Sequence, residues 1–173
     1  YLRVKHQLDC IRNFTSCNTQ AQIISRNLMF QPKKNAYTKV EGKGLGTSAS
    51  AGAAIAEAAA EILYYGEETL AENTRLKSVF ARYLAGSATR SVVGGIGLWL
   101  SHPEVKSLQS YGVRLDRISD SKFIQNIRLL TIPIESTVKT ETAHDSAPLS
   151  PFYPAWLRTR GEKVRKFIDA VQN

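Results

Sequence analysis

Long apolar runs are missing from this 173-residue chain. None approaches the roughly 18 residues of a membrane-spanning helix, so no membrane residence is expected. Cysteine is scarce: Cys10 and Cys17 are the two present, too few for a disulfide scaffold and wrongly spaced for a zinc site. A reducing, cytoplasmic setting follows from that usage. The chain opens on Tyr1, with no initiator Met and no basic stretch leading into an apolar one. Acidic residues are also in the minority, 15 against 23 Lys and Arg, which leaves a net charge of +8. Aromatics do not interleave with the basic residues, since Lys33, Lys34, Lys39 and Lys43 surround Tyr37 alone. Nucleic acid is therefore disfavoured as a partner.

What is there fits one globular domain with a real core: 43% hydrophobic and 22% charged residues. The positive charge is concentrated in residues 1–45, net +6, and residues 151–173, net +3. Such a balance suits an anionic partner, a phosphorylated small molecule among them, or it serves solubility alone.

Val4, Leu8 and Ile11 share one face and predict a short helix over 2–12. Residues 21–25 read as a strand and 27–40 as a polar connection. The glycine-rich run 42–46 leads into an alanine-rich helix over 48–63, with Ile55, Ala59, Ile62 and Leu63 as its apolar face, suited to close packing on a sheet. An acidic turn, 66–73, precedes a second amphipathic helix over 74–84 whose stripe is Leu76, Val79, Phe80 and Tyr83. Residues 86–90 break that helix, and strands are expected at 96–100 and 127–134. A short helix over 140–147, a proline-rich loop over 148–154 and a last helix over 162–171, burying Val164, Phe167, Ile168 and Val171, complete the reading. Helices and strands mix without a βαβ rhythm, which favours α+β.

Three segments can carry chemistry. In Gly44-Leu45-Gly46-Thr47-Ser48-Ala49-Ser50 the glycines allow close backbone approach, and the first-turn amides of the following helix lack intrahelical acceptors. With Lys43 and the hydroxyls of Thr47, Ser48 and Ser50 this is an anion cradle, or equally a plain capped helix start. It is not a Walker A loop. In Gly86-Ser87-Ala88-Thr89-Arg90-Ser91, Ser87 and Arg90 stand three apart, so a hydroxyl and a forked guanidinium share a face able to receive a carboxylate or phosphate. The plain alternative is a surface arginine paired with an acid. The third segment, Ser136 to His144, follows a predicted strand; no second His or Cys supports a metal there, and no Gly-x-Ser-x-Gly elbow supports a hydrolase serine.

Taken together these segments resemble a known family. Gly44 to Ser50 is similar to the phosphate loop of the galactokinase/homoserine kinase/mevalonate kinase/phosphomevalonate kinase (GHMP) superfamily. Gly86-Ser87-Ala88-Thr89-Arg90-Ser91 with Gly94, Gly95 and Trp99 resembles the signature of diphosphomevalonate decarboxylases. His6 to Arg12 resembles that family's His-x-Leu-Asp-x-x-Arg segment, and Ser136-Thr137, Ser150 to Tyr153 and Trp156 match it downstream. Lys139-Thr140-Glu141-x-Ala143-His144 looks more like the archaeal-type branch, which acts on phosphomevalonate or mevalonate bisphosphate.

The resemblance implies a two-layer α+β sandwich of the GHMP kinase superfamily, incomplete at both ends, with residues 1–110 the core of its N-terminal domain and 111–173 the start of its C-terminal domain. Relatives are longer, and their catalytic aspartate has no counterpart here. The implied activity is ATP-dependent 3-phosphorylation of a mevalonate phosphate, then loss of phosphate and carbon dioxide to give an isopentenyl product. The alternatives are an ATP-independent mevalonate 3,5-bisphosphate decarboxylase and a GHMP-type kinase; a basic binding module without catalysis is the reading from another class. In the implied site Arg90 holds the substrate carboxylate and Ser87 orients the substrate's phosphate or carboxylate. Lys43, Gly44, Gly46, Thr47, Ser48 and Ser50 bind phosphate, and Ser136, Thr137 and Lys139 bind the substrate. ATP and Mg²⁺ are the implied cofactors, with no protein ligand for the metal named, and a homodimer is the implied assembly.

Overall fold

The computed structural model describes residues 2–26, 28–31, 35–39, 46–101, 104–116, 126–128, 130 and 140–172. The chain divides into two units, Tyr1–Arg114 and Leu115–Asn173.

In the first unit, helix α1 (Leu2–Thr15) runs three residues past its expected end. Ser16 then takes a left-handed φ of 54°, and the Cys17 N–H reaches back to the Arg12 carbonyl, 3.1 Å away, which satisfies an otherwise orphaned acceptor. Strands β1 (Leu28–Gln31) and β2 (Ala36–Lys39) form an antiparallel hairpin, pairing Leu28 with Lys39 and Gln31 with Ala36. This corrects the sequence reading twice. Residues 21–25 are irregular and exposed, and the polar stretch after them holds the strands. A strand needs a partner at hydrogen-bonding distance, and Ile23 and Ile24 have none among the described residues.

Helix α2 (Thr47–Leu63) forms where alanine dominates; Ala59 and Leu63 of the expected face pack against the core, but the most deeply buried row lies beside them. Ala49, Gly52, Ala56 and Ala60 point inward, whereas Ile62 is 69% exposed. Among the described residues its main partners are helices rather than a sheet. After the short helix α3 (Glu68–Ala71), within the expected acidic turn, come α4 (Thr74–Arg82) and α5 (Ala88–Val93), both packed on α2. Two helical axes come close only where the side chains between them are small, and the row from Ala49 to Ala60 supplies that.

Asn73 caps α4, its Oδ1 accepting the Leu76 N–H at 2.9 Å. Phe80, fully buried on α4, meets Phe14 edge-on at 5.6 Å, and the core gathers Ile11, Ala49, Ala56, Phe80, Ala81 and Ala88. Lys77 is buried between α4 and α2; its ammonium is held by Glu57, with Glu61 at 3.8 Å. Strands β3 (Gly97–Trp99) and β4 (Gly112–Arg114) form a second antiparallel hairpin beneath α5.

In the second unit, α6 (Thr140–Ser146) leads through a 3₁₀ turn (Ala147–Leu149) to α7 (Tyr153–Gln172). The last helix thus begins nine residues before its expected start: a proline in the first turn of a helix displaces no hydrogen bond, and Pro154 stands there. Tyr153 stacks on Trp156 at 5.6 Å. Val164, Ile168 and Val171 are half-buried, while Phe167, expected in the core, is 51% exposed. Of the strand expected over 127–134, residues 127, 128 and 130 are described and none is in a strand; the rest lies outside the described residues. Helical and antiparallel β structure in one chain make it α+β.

Candidate functional site

Gly46 precedes α2 with φ 69° and ψ 20°, left-handed backbone that favours glycine. The first intrahelical bond runs from the Ser50 N–H to the Gly46 carbonyl at 3.0 Å, so the amides ahead of it lie at the positive end of a 17-residue helix. The three expected hydroxyls differ. Ser50 donates its proton to the Thr47 carbonyl at 3.1 Å, within its own helix. Thr47 is half-buried and engaged elsewhere. Ser48 is exposed, and its hydroxyl makes no hydrogen bond among the described residues. Lys43 and Gly44 lie outside the described residues, as do Ser136, Thr137 and Lys139.

The expected break after α4 is present at Gly86 and Ser87, and α5 opens at Ala88, inside the span expected to be broken. Ser87 stands at its N-cap position, and the Arg90 N–H donates to the Ser87 carbonyl at 3.1 Å, so both belong to one helical turn. Their side chains, with Ser91, are exposed, while Ala88 and Thr89 between them are fully buried. The Ser87 hydroxyl does not cap its helix, and no carboxylate among the described residues pairs with Arg90. The plain reading, a surface arginine engaged by an acid, therefore lacks its acid there. Beyond α5 the chain turns through Gly94 and Gly95, at φ 66° and 53°.

Close contact ties these two clusters together. A Cβ added at Gly52 of α2 would lie 2.9 Å from the Ala88 Cβ, so the helix carrying Ser48 touches the one carrying Arg90. Ser48 stands four residues before Gly52 on the same row, about 6 Å along the axis. Arg90 is two residues past Ala88.

The structure also brings in Gln7, which sequence reasoning missed. It is 0% exposed, and its Nε2 donates to the carbonyls of Gly52 at 3.0 Å and Phe80 at 3.1 Å, pinning α1 to α2 and α4. A signal existed, because Gln7 falls inside the apolar row of Val4, Leu8 and Ile11, where an amide needs interior partners.

The rest of the His6 to Arg12 segment is occupied with itself. Asp9 binds Lys5 at 2.7 Å and Arg12 at 3.2 Å, and the Lys5 hydrogen bond, helped by Arg12, holds its carboxyl below the ordinary value. Arg12 also donates to the Thr19 carbonyl. His6 lies 3.6 Å from the Cys10 sulfur, whose thiol is pushed up first by burial and then by Asp9. Among the described residues no three His, Cys, Asp or Glu side chains gather as metal ligands, and no helix is long and apolar enough to cross a membrane.

Residues 1–111, which hold both clusters, match the model of the diphosphomevalonate decarboxylase-like N-terminal domain. The chain belongs to that family. Two curated relatives carry the same name, mevalonate 3,5-bisphosphate decarboxylase. The one from Thermoplasma acidophilum is 28% identical over 170 residues, 98% of this chain and 38% of its own length. The one from Thermoplasma volcanium is 29% identical over 133 residues, 77% of this chain and 33% of its own. The decarboxylase-like chain thus spans under two-fifths of the length of either relative.

Proposed function

We propose that this chain is part of a carbon–carbon lyase that decarboxylates mevalonate 3,5-bisphosphate without ATP. The observation that carries the reading is the exposed Ser87–Arg90 turn, with no acid paired to Arg90 among the described residues, on a helix held against the one that presents Ser48. Both relatives are named for the bisphosphate substrate, which favours this over the ATP-dependent reaction.

The chemistry asks little more than placement of charge. As the C3–oxygen bond breaks, its electron pair leaves with inorganic phosphate and positive charge develops at C3. The pair of the bond to the carboxylate then forms the double bond, and carbon dioxide departs. The product keeps its 5-phosphate as an isopentenyl phosphate. Arg90 presents parallel N–H donors that match a carboxylate or phosphate edge, and Ser87 adds a hydroxyl on the same turn. Ser48 and the first-turn amides of α2 receive a phosphate oxygen. Those amides fit a nucleotide phosphate as well as a substrate phosphate; a substrate already phosphorylated at C3 removes the need for the nucleotide and its Mg²⁺. Prepositioned donors of this kind act where charge develops and need no reorganisation as the reaction proceeds. The same reading assigns the α+β fold to the two-layer sandwich of the GHMP superfamily.

The test uses the protein that contains this chain. Carbon dioxide release from mevalonate 3,5-bisphosphate is expected with and without ATP alike. Arg90→Ala is expected to lower kcat by about 10²–10³, and Arg90→Lys to recover part of it, since charge without the fork is an incomplete replacement. Release that depends on ATP restores the kinase-coupled alternative. Release from no mevalonate phosphate, or full turnover in Arg90→Ala, overturns the assignment.

A further inference from the structure

We propose that Trp99, locked by Ser110, is a positioning residue that fixes where the Ser87–Arg90 turn presents its hydroxyl and guanidinium; the catalytic consequence rests on the function proposed above. A Cβ added at Gly86 would lie 2.7 and 2.8 Å from two atoms of the Trp99 ring, Cζ3 and Cη2, so this turn of the chain lies directly on the indole. The ring is not free to yield. Its Nε1–H donates to the Ser110 hydroxyl at 2.9 Å, Ser110 is 3% exposed, and the Trp99 backbone is held in register with Gly112. Gly112 is tied in turn to α4, its N–H donating to the Ser78 hydroxyl at 2.9 Å.

The rest of the hairpin presses on the same helix. A Cβ at Gly97 would meet the Arg90 carbonyl at 3.0 Å and the Arg90 Cβ at 3.2 Å, and one at Gly112 would meet the Thr89 carbonyl at 2.5 Å. Movement at Gly86 passes straight into the site, because the Thr89 N–H donates to the Gly86 carbonyl and Arg90 follows one residue later. Among the described residues no hydrogen bond or ring contact links Trp99 to the groups assigned to the substrate. Trp99 acts through the backbone that carries them, where a misplacement on the order of 1 Å can cost about a hundredfold in rate.

The experiment exploits the fit between Gly86 and the ring, in the protein that contains this chain. Gly86→Ala is expected to lower kcat at least about tenfold while KM for mevalonate 3,5-bisphosphate changes less than about threefold, and to shift the backbone amide resonances of Ser87 to Ser91 with the helical circular dichroism retained. Trp99→Leu alone also lowers kcat by removing the support. The double variant, in which the new methyl takes the space the ring has left, is expected to regain at least about tenfold over Gly86→Ala. A merely structural role predicts two losses that add instead of compensating. Compensation in kcat with unchanged KM supports the proposal; additive losses, or unmoved amides in Gly86→Ala, overturn it. Should the wild-type protein release no carbon dioxide, the functional reading fails, and amide shifts in Gly86→Ala that revert in the double variant still decide whether Trp99 positions the turn.

Discussion

Replacing Gly52 with alanine sets two known effects against each other at one atom. In the middle of an exposed helix the change stabilises by about 1 kcal/mol, because alanine loses less backbone entropy than glycine. Here the new methyl would lie 2.9 Å from the Ala88 Cβ and 3.2 Å from both the Ala81 carbonyl oxygen and the Leu84 Cβ. Carbon–carbon contact is comfortable near 3.5 Å, so α2 must back away from α5 by about 0.6 Å. Two of the three obstacles are Cβ atoms and the third is backbone, so no flexible side-chain end can swing aside. Overpacking of this kind costs about 1–3 kcal/mol. The net expectation is a loss of about 1 kcal/mol, a fall in Tm of about 4 °C for a unit of this size. Thermal unfolding followed by circular dichroism measures it. The same displacement separates Ser48 from Arg90, so kcat is expected to fall in the folded protein as well. A Tm that rises by a few degrees, as helix propensity alone demands, would refute the claim that these helices touch at Gly52.

Gly161 supplies the contrasting case within α7: nothing lies within 4 Å of its added Cβ, so Gly161→Ala is expected to stabilise by about 0.5–1 kcal/mol, and a lowered Tm would contradict it. The two cysteines should separate by pH. A hydrogen bond from the Thr19 hydroxyl, 3.1 Å from the Cys17 sulfur, pulls that thiol down, with the Thr19 backbone and Arg12 adding to the effect, whereas burial and then Asp9 push Cys10 up. Only the thiolate reacts, so as pH rises Cys17 is alkylated by iodoacetamide before Cys10, and Thr19→Ala moves the Cys17 profile to higher pH. Peptide mass mapping reads both; Cys10 reacting first would sink the assignment.

Helices were legible wherever large apolar residues recur at helical spacing. Val4, Leu8 and Ile11 mark α1, and Leu76, Val79 and Phe80 mark α4, with Val79 and Phe80 buried as that spacing requires. In α2 the same reasoning found Ala59 and Leu63, which pack against the core, but missed the more deeply buried row from Ala49 to Ala60, because hydropathy ranks Ile above Ala while a close helix crossing selects for small size. The first hairpin was misplaced for a related reason: Ile23 and Ile24 have the stronger β propensity, yet pairing between Leu28–Gln31 and Ala36–Lys39 decides where strands form. For the candidate site, the hydroxyl and guanidinium three residues apart were readable directly. That Ser50 turns back into its own helix was not, since the same hydroxyl serves a ligand or a carbonyl equally well.

Local order along the chain thus determined most of the helices and the pairing of Ser87 with Arg90 on one turn, both of which depend on neighbours within four residues. The tertiary structure alone decided what the glycines at 52, 86, 97 and 112 are for. Glycine looks the same in sequence whether it frees a backbone angle, as at Gly46, or makes room for another element, as under Trp99; only the atoms across the gap tell the two apart.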